Sequence, residues 1–220
     1  MTLASNPAPP SSAEAAPATA ALILPQELQL TPEQFVLLCA ANPDAVLELD
    51  AQGHLISMTP TGGDTGSRNS RLLMRLLLWA DRTGGWKVFD SSTGFRLPDG
   101  SVLSPDASLV SLERWQALSP EQRRGFPPLC PDLVVELASP SDEGPRGVAA
   151  LRRKLTAYQL NGAQLGWLLL PQEQVVEVWL GRQSPEAPLP EPQRLEGVTE
   201  LDGGMVLPGL LLDLEEIWRG

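Results

Sequence analysis

The feature that most constrains the fold is a short apolar run with a carboxylate inside it, residues 133–138. Such a run is typical of a strand buried on both faces of a sheet that helices cover. Glu136 lies in the middle of the run, and a buried carboxylate is costly unless it is paired or bound to a metal. The run therefore predicts a central strand that carries either a tightly paired acid or a functional one.

The elements around this strand predict the fold class. Thr31-Pro32-Glu33-Gln34 reads as a capping box that starts a helix, and Gly162 is a good helix stop. The pattern predicts helices at 31–41, 67–82, 111–124, 148–161 and a final turn at 213–218. It predicts strands at 45–49, 54–58, 86–90, 94–97, 102–110, 133–138, 165–170, 175–180 and 194–199. This order favours an α/β (α+β) fold with a mixed central β-sheet flanked by helices.

The first 25 residues differ in composition from the rest of the chain. They are mostly Ala, Pro and Ser, which bury too little apolar surface to offset the entropy of ordering. We expect residues 1–25 to form a disordered tail and residues 26–220 to form a single domain. The start lacks the basic and apolar blocks of a secretory signal, and no run reaches the roughly 18 apolar residues of a membrane span. We therefore expect a cytoplasmic protein with no membrane association.

Charge and residue counts narrow the chemistry. Lys and Arg number 16 against 27 Asp and Glu, for a net charge of -11, which disfavours broad non-specific binding of nucleic acid but not a locally basic cleft. Cys39 and Cys130 cannot form a disulfide framework or a Cys-x-x-Cys zinc site. His54 is the only histidine, which excludes most zinc sites and catalytic triads. Carboxylates, lysines and hydroxyls remain.

Two further acids are candidates beside Glu136. Asp132 lies four residues earlier, and the two-residue period of a strand places both acids on one face. The alternative is that these acids form charged pairs with a Lys or Arg on a helix. Asp106 follows Ser104-Pro105, where a strand pair begins, although Pro-Asp is also a common turn dipeptide.

A cation on the helix at 148–161 is the third candidate. Lys154 lies at one edge of the apolar stripe formed by Val148, Leu151, Leu155 and Tyr158, and Arg152 lies at the other edge. Helix geometry alone does not choose between Lys154 and Arg152. A cation that buries only its stem is the structural alternative for either residue.

Together these residues fit one kind of chemistry. Two carboxylates on neighbouring strands can hold a hard divalent cation through oxygen ligands. A lysine beside them can orient a water or stabilise charge that develops on phosphorus. The set predicts metal-dependent hydrolysis of a phosphodiester.

The ordered segments also carry a family resemblance. From residue 28 to 219 the chain resembles the Uma-two family of restriction endonucleases, a branch of the PD-(D/E)XK nuclease superfamily. The resemblance rests on Leu47-Glu48-Leu49 with Gly53, Thr61-Gly62-Gly63-Asp64-Thr65-Gly66, Phe95-Arg96-Leu97-Pro98-Asp99-Gly100, Ser104-Pro105-Asp106-Ala107-Ser108, Pro131-Asp132-Leu133 to Glu136, Ser139-Pro140-Ser141-Asp142, Lys154 with Tyr158, Asn161-Gly162 and Leu207-Pro208-Gly209. Each piece alone is weak, but their order and spacing are specific.

The resemblance implies a restriction-endonuclease-like core and assigns roles to its residues. Asp106 and Glu136 correspond to metal ligands for Mg²⁺ or Mn²⁺, and Glu48 to an acid that completes the metal site. The superfamily usually has a lysine two residues after the second acid, where this chain has Ala138. The family has moved that lysine to the following helix, at Lys154. The implied catalytic residues are Asp106, Glu136 and Lys154, with Asp132 and Ser139 as neighbours of the site.

Two positions depart from the family's pattern. Asn69 stands where many relatives have a His at the start of the second helix, which puts a role for that His in positioning phosphate in doubt. Leu170 stands where many relatives have an Asp before the hairpin proline, a difference we interpret as structural.

Three functional hypotheses remain open. The first is a DNA endonuclease that depends on Mg²⁺ or Mn²⁺, with DNA as its substrate. The second is a non-catalytic module that keeps the nuclease fold for binding or assembly, and the third is a hydrolase of a smaller phosphoester. A homodimer is also a hypothesis, with Trp79, Trp115 and Trp218 as interface candidates, although core packing explains tryptophans equally well.

Overall fold

The computed structural model describes residues 28–58, 60–142, 145–184 and 186–220, with residues 145 and 146 described by their backbone alone. The tail predicted at residues 1–25 lies outside the described residues. The helices are α1 (Pro32–Ala41), α2 (Gly63–Thr83), α3 (Leu112–Gln116), α4 (Pro120–Arg124), α5 (Pro145–Leu160) and α6 (Glu215–Arg219). The strands are β1 (Val46–Leu49), β2 (Leu55–Met58), β3 (Trp86–Asp90), β4 (Phe95–Arg96), β5 (Val102–Leu103), β6 (Ala107–Ser111), β7 (Leu133–Leu137), β8 (Leu165–Leu170), β9 (Val175–Leu180), β10 (Gln193–Glu196), β11 (Glu200–Asp202) and β12 (Leu211–Asp213).

A six-stranded mixed sheet forms the centre of the fold. Its order is β10-β9-β8-β7-β6-β3, in which β7 and β8 are parallel and the other neighbours are antiparallel. All five residues of β7 are buried, as its apolar sequence predicts. Helix α5 connects β7 to its parallel neighbour β8, the crossover that parallel pairing requires. These features confirm the predicted fold class.

Helix α5 packs closely against the sheet, and a glycine makes this possible. A Cβ added at Gly166 in β8 would lie 2.6 Å from Leu155 Cδ1 of α5. Leu155 and Tyr158 of α5 are fully buried against Val134 and neighbouring core residues. The close packing fixes the helix relative to β7, and therefore fixes Lys154 relative to Glu136.

A smaller sheet brings the first acid to the same place. Its order is β2-β1-β5-β4, and β1 pairs with β5 through Leu49 and Val102. The strand predicted at 102–110 is split at Ser104-Pro105-Asp106, where proline has no N–H for a strand ladder. The chain leaves the smaller sheet as β5 and enters the central sheet as β6. This break lies beside Glu48, at the junction of the two sheets.

Several smaller differences from the sequence prediction also matter. Helix α2 begins at Gly63, four residues earlier than predicted, and the short hairpin of β11 and β12 was not predicted.

The three candidate interface tryptophans have partners within the chain. Trp79 belongs to the buried core, Trp115 packs against Phe89, and the Trp218 indole donates a hydrogen bond to the Val198 carbonyl. Core packing therefore explains these tryptophans. Among the described helices, none has the length and hydropathy to cross a membrane.

Candidate active site

The candidate acids and the candidate lysine line one cleft at the junction of the two sheets. The cleft has a volume of about 640 Å³ and is also lined by residues of α2 and of the loop after β7. The structure brings together all four residues that the sequence assigned to the site, Glu48, Asp106, Glu136 and Lys154. They come from β1, the turn before β6, β7 and α5, respectively.

Lys154 lies at the centre of the cluster. Its Nζ lies 2.8 Å from Glu48 Oε1 and 3.0 Å from Glu136 Oε1, and it donates a 2.8 Å hydrogen bond to the Ser104 carbonyl. The lysine side chain is 11% exposed, so these contacts hold a largely desolvated ammonium. The structure thereby resolves the ambiguity left by the helix pattern, because Arg152 points away from the cleft and forms a bidentate ion pair with Glu177 of β9.

Glu136 is the least satisfied acid of the cluster. Its side chain is 3% exposed, and its Oε1 has no hydrogen-bond partner among the described residues. The 3.0 Å contact with Lys154 is therefore charge attraction without the alignment of a hydrogen bond. A buried oxygen in this state has capacity for a further ligand.

Asp106 stands directly opposite Glu136. Ala107 pairs with Val135 in the antiparallel register of β6 and β7, so the next pair along is Asp106 with Glu136, with both side chains on one face. Asp106 Oδ2 accepts a 2.8 Å hydrogen bond from the Leu137 backbone N–H, and Oδ1 lies 3.4 Å from Asn69 Nδ2 of α2. The backbone thus fixes one oxygen of Asp106, and a side chain of α2 reaches the other.

Glu48 connects the smaller sheet to the lysine. Its Oε1 accepts a 2.7 Å hydrogen bond from the Ser104 backbone N–H and lies 2.8 Å from Lys154 Nζ. Since Lys154 also contacts the Ser104 carbonyl, the peptide groups of Ser104 hold both partners of this ion pair. The role of Ser104 could not be read from the sequence, because it acts through its backbone.

The cluster carries more negative than positive charge. Three carboxylates surround one ammonium, so the fully ionised site has a net charge of -2. Burial, together with Asp106 and Glu48, raises the pKa of Glu136 to about 8 despite Lys154, and burial also raises the pKa of Asp106. Burial alone would lower the pKa of Lys154, but Glu136 and Glu48 outweigh it and the pKa is raised. Lys154 therefore stays charged, and below pH 8 the excess negative charge is relieved by a proton on Glu136.

This donor set fits a hard divalent cation through two of its acids. Asp106 and Glu136 present carboxylate oxygens on one face, and Mg²⁺ and Mn²⁺ prefer such oxygen ligands. A dication would also balance the charge of -2. Among the described residues, no three His, Cys, Asp or Glu side chains form a group that could hold a metal, and Lys154 lies in contact with both Glu48 and Glu136.

Asp132 lies outside the cleft, at the other end of β7. Its Oδ1 accepts hydrogen bonds from Arg114 Nη1 at 2.6 Å and Gln164 Nε2 at 2.8 Å, and its Oδ2 accepts one from the Ser111 N–H at 2.8 Å. The expectation that Asp132 neighbours the site was wrong, and the alternative of a structural charged pair is correct for this residue. Ser139, by contrast, lines the cleft.

The cleft has little basic character. Lys154 is the only cation among its described lining residues, and the rest of its polar lining is mainly hydroxyl groups. Arg71 and Arg75 are instead paired with Glu216 of α6. Arg123 donates to backbone carbonyls outside the cleft.

The fold and the site together define the class of this protein. A solved structure described as a putative nuclease belonging to DUF820 from Anabaena variabilis has the same fold, with a TM-score of 0.67 and 19% sequence identity. The match covers 86% of this chain and 98% of that chain. The class is a mixed α/β fold shared with that structure, with a buried carboxylate and lysine cluster near one end of β7.

The family can then be stated. Residues 32–215 match Uma2, described as "Putative restriction endonuclease", and the chain belongs to this family. The match confirms the resemblance drawn from the ordered sequence segments. No curated protein matches the chain.

Proposed function

We propose that this protein is a divalent-metal-dependent DNA endonuclease that hydrolyses phosphodiester bonds at the Asp106–Glu136–Lys154 cluster. The observation that carries the proposal is the pair of opposed acids, Asp106 and Glu136, in which the buried Glu136 Oε1 makes no hydrogen bond among the described residues and is compensated only by its ion pair with Lys154. Membership of a restriction endonuclease family supports the same reaction.

The roles of the residues follow from their contacts. Asp106 and Glu136 would hold Mg²⁺ or Mn²⁺, which when bound polarises a phosphodiester and makes water a stronger nucleophile. The Leu137 N–H keeps Asp106 oriented toward that position. Lys154, held by Glu48 and the Ser104 carbonyl, would orient the attacking water or stabilise negative charge on the phosphate oxygens.

Glu48 has two candidate roles that one variant separates. In this structure it holds Lys154, and the expectation that it completes the metal site stays a prediction. If Glu48 is a metal ligand, Glu48→Gln should lower metal affinity. If Glu48 only holds Lys154, Glu48→Gln should leave metal affinity within about twofold.

The first test is cleavage of supercoiled, linear duplex and single-stranded DNA in Mg²⁺ and in Mn²⁺. Wild-type protein should cut at least one of these, and Asp106→Ala, Glu136→Ala and Lys154→Ala should each lose about 10²-fold or more in rate. Glu113→Ala, which changes an exposed acid of α3 outside the cleft, is the matched control and should cut like wild type. Cleavage that persists in both acid variants would refute the proposal.

A second candidate is a hydrolase of a small phosphoester, and the polarity of the cleft favours it. Lys154 is the only cation among the described lining residues, and a cleft so poor in positive charge gives little attraction for a long polyanion. The same three residues would serve. Hydrolysis of a dinucleotide or of bis-p-nitrophenyl phosphate, without cleavage of any of the three DNA forms, would establish this candidate instead.

A further inference from the structure

The first turn of α2 faces the same cleft and contains an unused set of hydrogen-bond donors. Gly62 is the N-cap, with no side chain to cap the helix, and the Gly66 N–H makes the first backbone bond of the helix, to the Gly62 carbonyl. By helix geometry the N–H groups of residues 63–65 have no acceptor within the helix. The positive end of the dipole of a 21-residue helix is at the same position.

The space beside the two glycines at the start of α2 is open. A Cβ added at Gly62 or at Gly63 would have no atom within 4 Å. The two glycines therefore place no side chain beside the backbone N–H groups of this turn, and Thr61 and Thr65 on either side of them line the cleft.

A buried hydroxyl gives a second and independent indication of a ligand. Thr65 is 2% exposed and lines the cleft, yet its Oγ1 has no hydrogen-bond partner among the described residues. Asn69 lies one turn further along the same helix face, its Oδ1 is also unpartnered, and its Nδ2 contacts Asp106. An unpaired buried polar group is costly, so these atoms point to a bound group that completes them.

We propose that the first turn of α2, residues 62–66, binds a phosphoryl group of the substrate through its backbone N–H groups and the Thr65 hydroxyl. The inference rests on the proposed function, because it places a substrate phosphate on the helix that carries Asn69, about 6 Å along the axis from Thr65, and Asn69 contacts Asp106. Phosphate binding at a helix N-terminus needs no basic side chain, which explains how a cleft with one lysine could hold a phosphoester. The phosphoryl group belongs either to a DNA strand or to a small phosphoester.

A matched pair of variants isolates the backbone donor. Gly63→Pro removes the N–H at the first helical position, where proline is favoured, and Gly62 already has the extended φ of -68° and ψ of 167° that a residue before proline adopts. Gly63→Ala keeps the N–H and adds only a Cβ in open space. Thr65→Val and Thr65→Ser form a second pair: Val replaces the hydroxyl with a methyl at nearly constant shape, whereas Ser keeps the hydroxyl and removes the methyl.

The probes are inorganic phosphate and a single-stranded dodecamer of deoxythymidine, added in EDTA to the full chain. Amide resonances of residues 63–66 in ¹H–¹⁵N spectra report binding at α2. Wild type and Gly63→Ala should bind with equal affinity, and Gly63→Pro should bind about three- to fivefold more weakly. Thr65→Val should bind more weakly than Thr65→Ser.

The outcomes distinguish the two possible sources of the phosphoryl group. They also distinguish failure of this inference from failure of the proposed function. Binding of both probes supports a nucleic-acid phosphate, and binding of phosphate alone supports a small phosphoester. Equal affinities within both variant pairs, or no shifts at residues 63–66, would overturn the inference. Because the titration contains no divalent metal, a protein that cleaves nothing can still show these shifts, so failure of the proposed function is distinguishable.

Discussion

Two buried acids, Asp132 and Glu136, differ in how their charge is compensated. Asp132 comes immediately before β7 and Glu136 lies near the other end of that strand. Asp132 has donors on both oxygens, from Arg114, Gln164 and a backbone N–H. Glu136 shares the ammonium of Lys154 with Glu48, and its Oε1 makes no hydrogen bond among the described residues beyond that ion pair.

The difference separates structural acids from functional ones. A carboxylate whose two oxygens are satisfied within the chain has no remaining capacity, and it ties together the elements that contact it. A carboxylate that is desolvated, short of donors and open to a cleft is stable in the fold only because the surrounding elements hold it there. Such incomplete compensation is characteristic of sites that bind a ligand.

The largest expected effect on stability is at Asp132. Asp132→Ala should lower the free energy of unfolding by about 2–3 kcal/mol. It leaves the Ser111 N–H without an acceptor and removes the carboxylate that Arg114 and Gln164 contact. The value is below that for a fully buried ion pair, since the Arg114 side chain is 39% exposed and can be solvated. Urea denaturation measures this change in the free energy of unfolding. A loss below about 0.5 kcal/mol would show that Asp132 is not a structural acid and does not differ from Glu136 in that respect.

Glu136 should behave in the opposite way. In EDTA, Glu136→Gln should be as stable as wild type or more stable, by about 1–2 kcal/mol at pH 8 and above. The fold raises the pKa of Glu136 to about 8, so the native state binds its proton more tightly than the unfolded chain. Glu136 therefore lowers wild-type stability as pH rises from the ordinary glutamate pKa toward 8, and the variant lacks this contribution.

Thermal unfolding of both proteins across this pH window measures the difference. The groups that face Glu136 are Lys154, Asp106 and Glu48, and all three are retained in the variant. A variant that is less stable than wild type at every pH would show that Glu136 is a structural acid like Asp132.

The smallest effect concerns the cysteine beside Asp132. Burial raises the pKa of Cys130 to about 12, so only about one thiol in 10⁴ is ionised at pH 8. Cys39 is less buried and should react with a disulfide reagent well before Cys130 in the native protein. In Asp132→Ala, Cys130 should react faster, because Arg114 no longer links Asp132 to the Cys130 carbonyl. Equal rates in the two proteins would show that this region does not depend on Asp132.

The sequence predicted the parts of the site that depend on local pattern. The apolar run identified β7 and the unusual acid in it, and the resemblance identified Asp106, Glu48 and Lys154 as its partners. The structure places all of them in one cleft. The apolar stripe of α5 left two candidates for the cation of the site, Lys154 and Arg152.

What could not be predicted depends on distant partners. The helix pattern alone could not separate Lys154 from Arg152, because that depends on the position of Glu177 on β9. The role of Asp132 required Arg114, which comes 18 residues earlier. The hairpin of β11 and β12 consists of three-residue strands, too short for an alternating pattern. The early start of α2 at Gly63 was missed because glycines are weak helix formers, and Thr65 was missed with it.

The most direct test of the account is a calorimetric titration of Mn²⁺ into the full chain. Wild-type protein should show saturable binding, and the Asp106→Ala/Glu136→Ala double variant should show none while circular dichroism confirms its fold. Asp132→Asn, which changes the satisfied acid of the same strand, should bind like wild type. Equal binding by the double variant, or no binding by wild type, would contradict the assignment of the Glu136 cluster as a metal site.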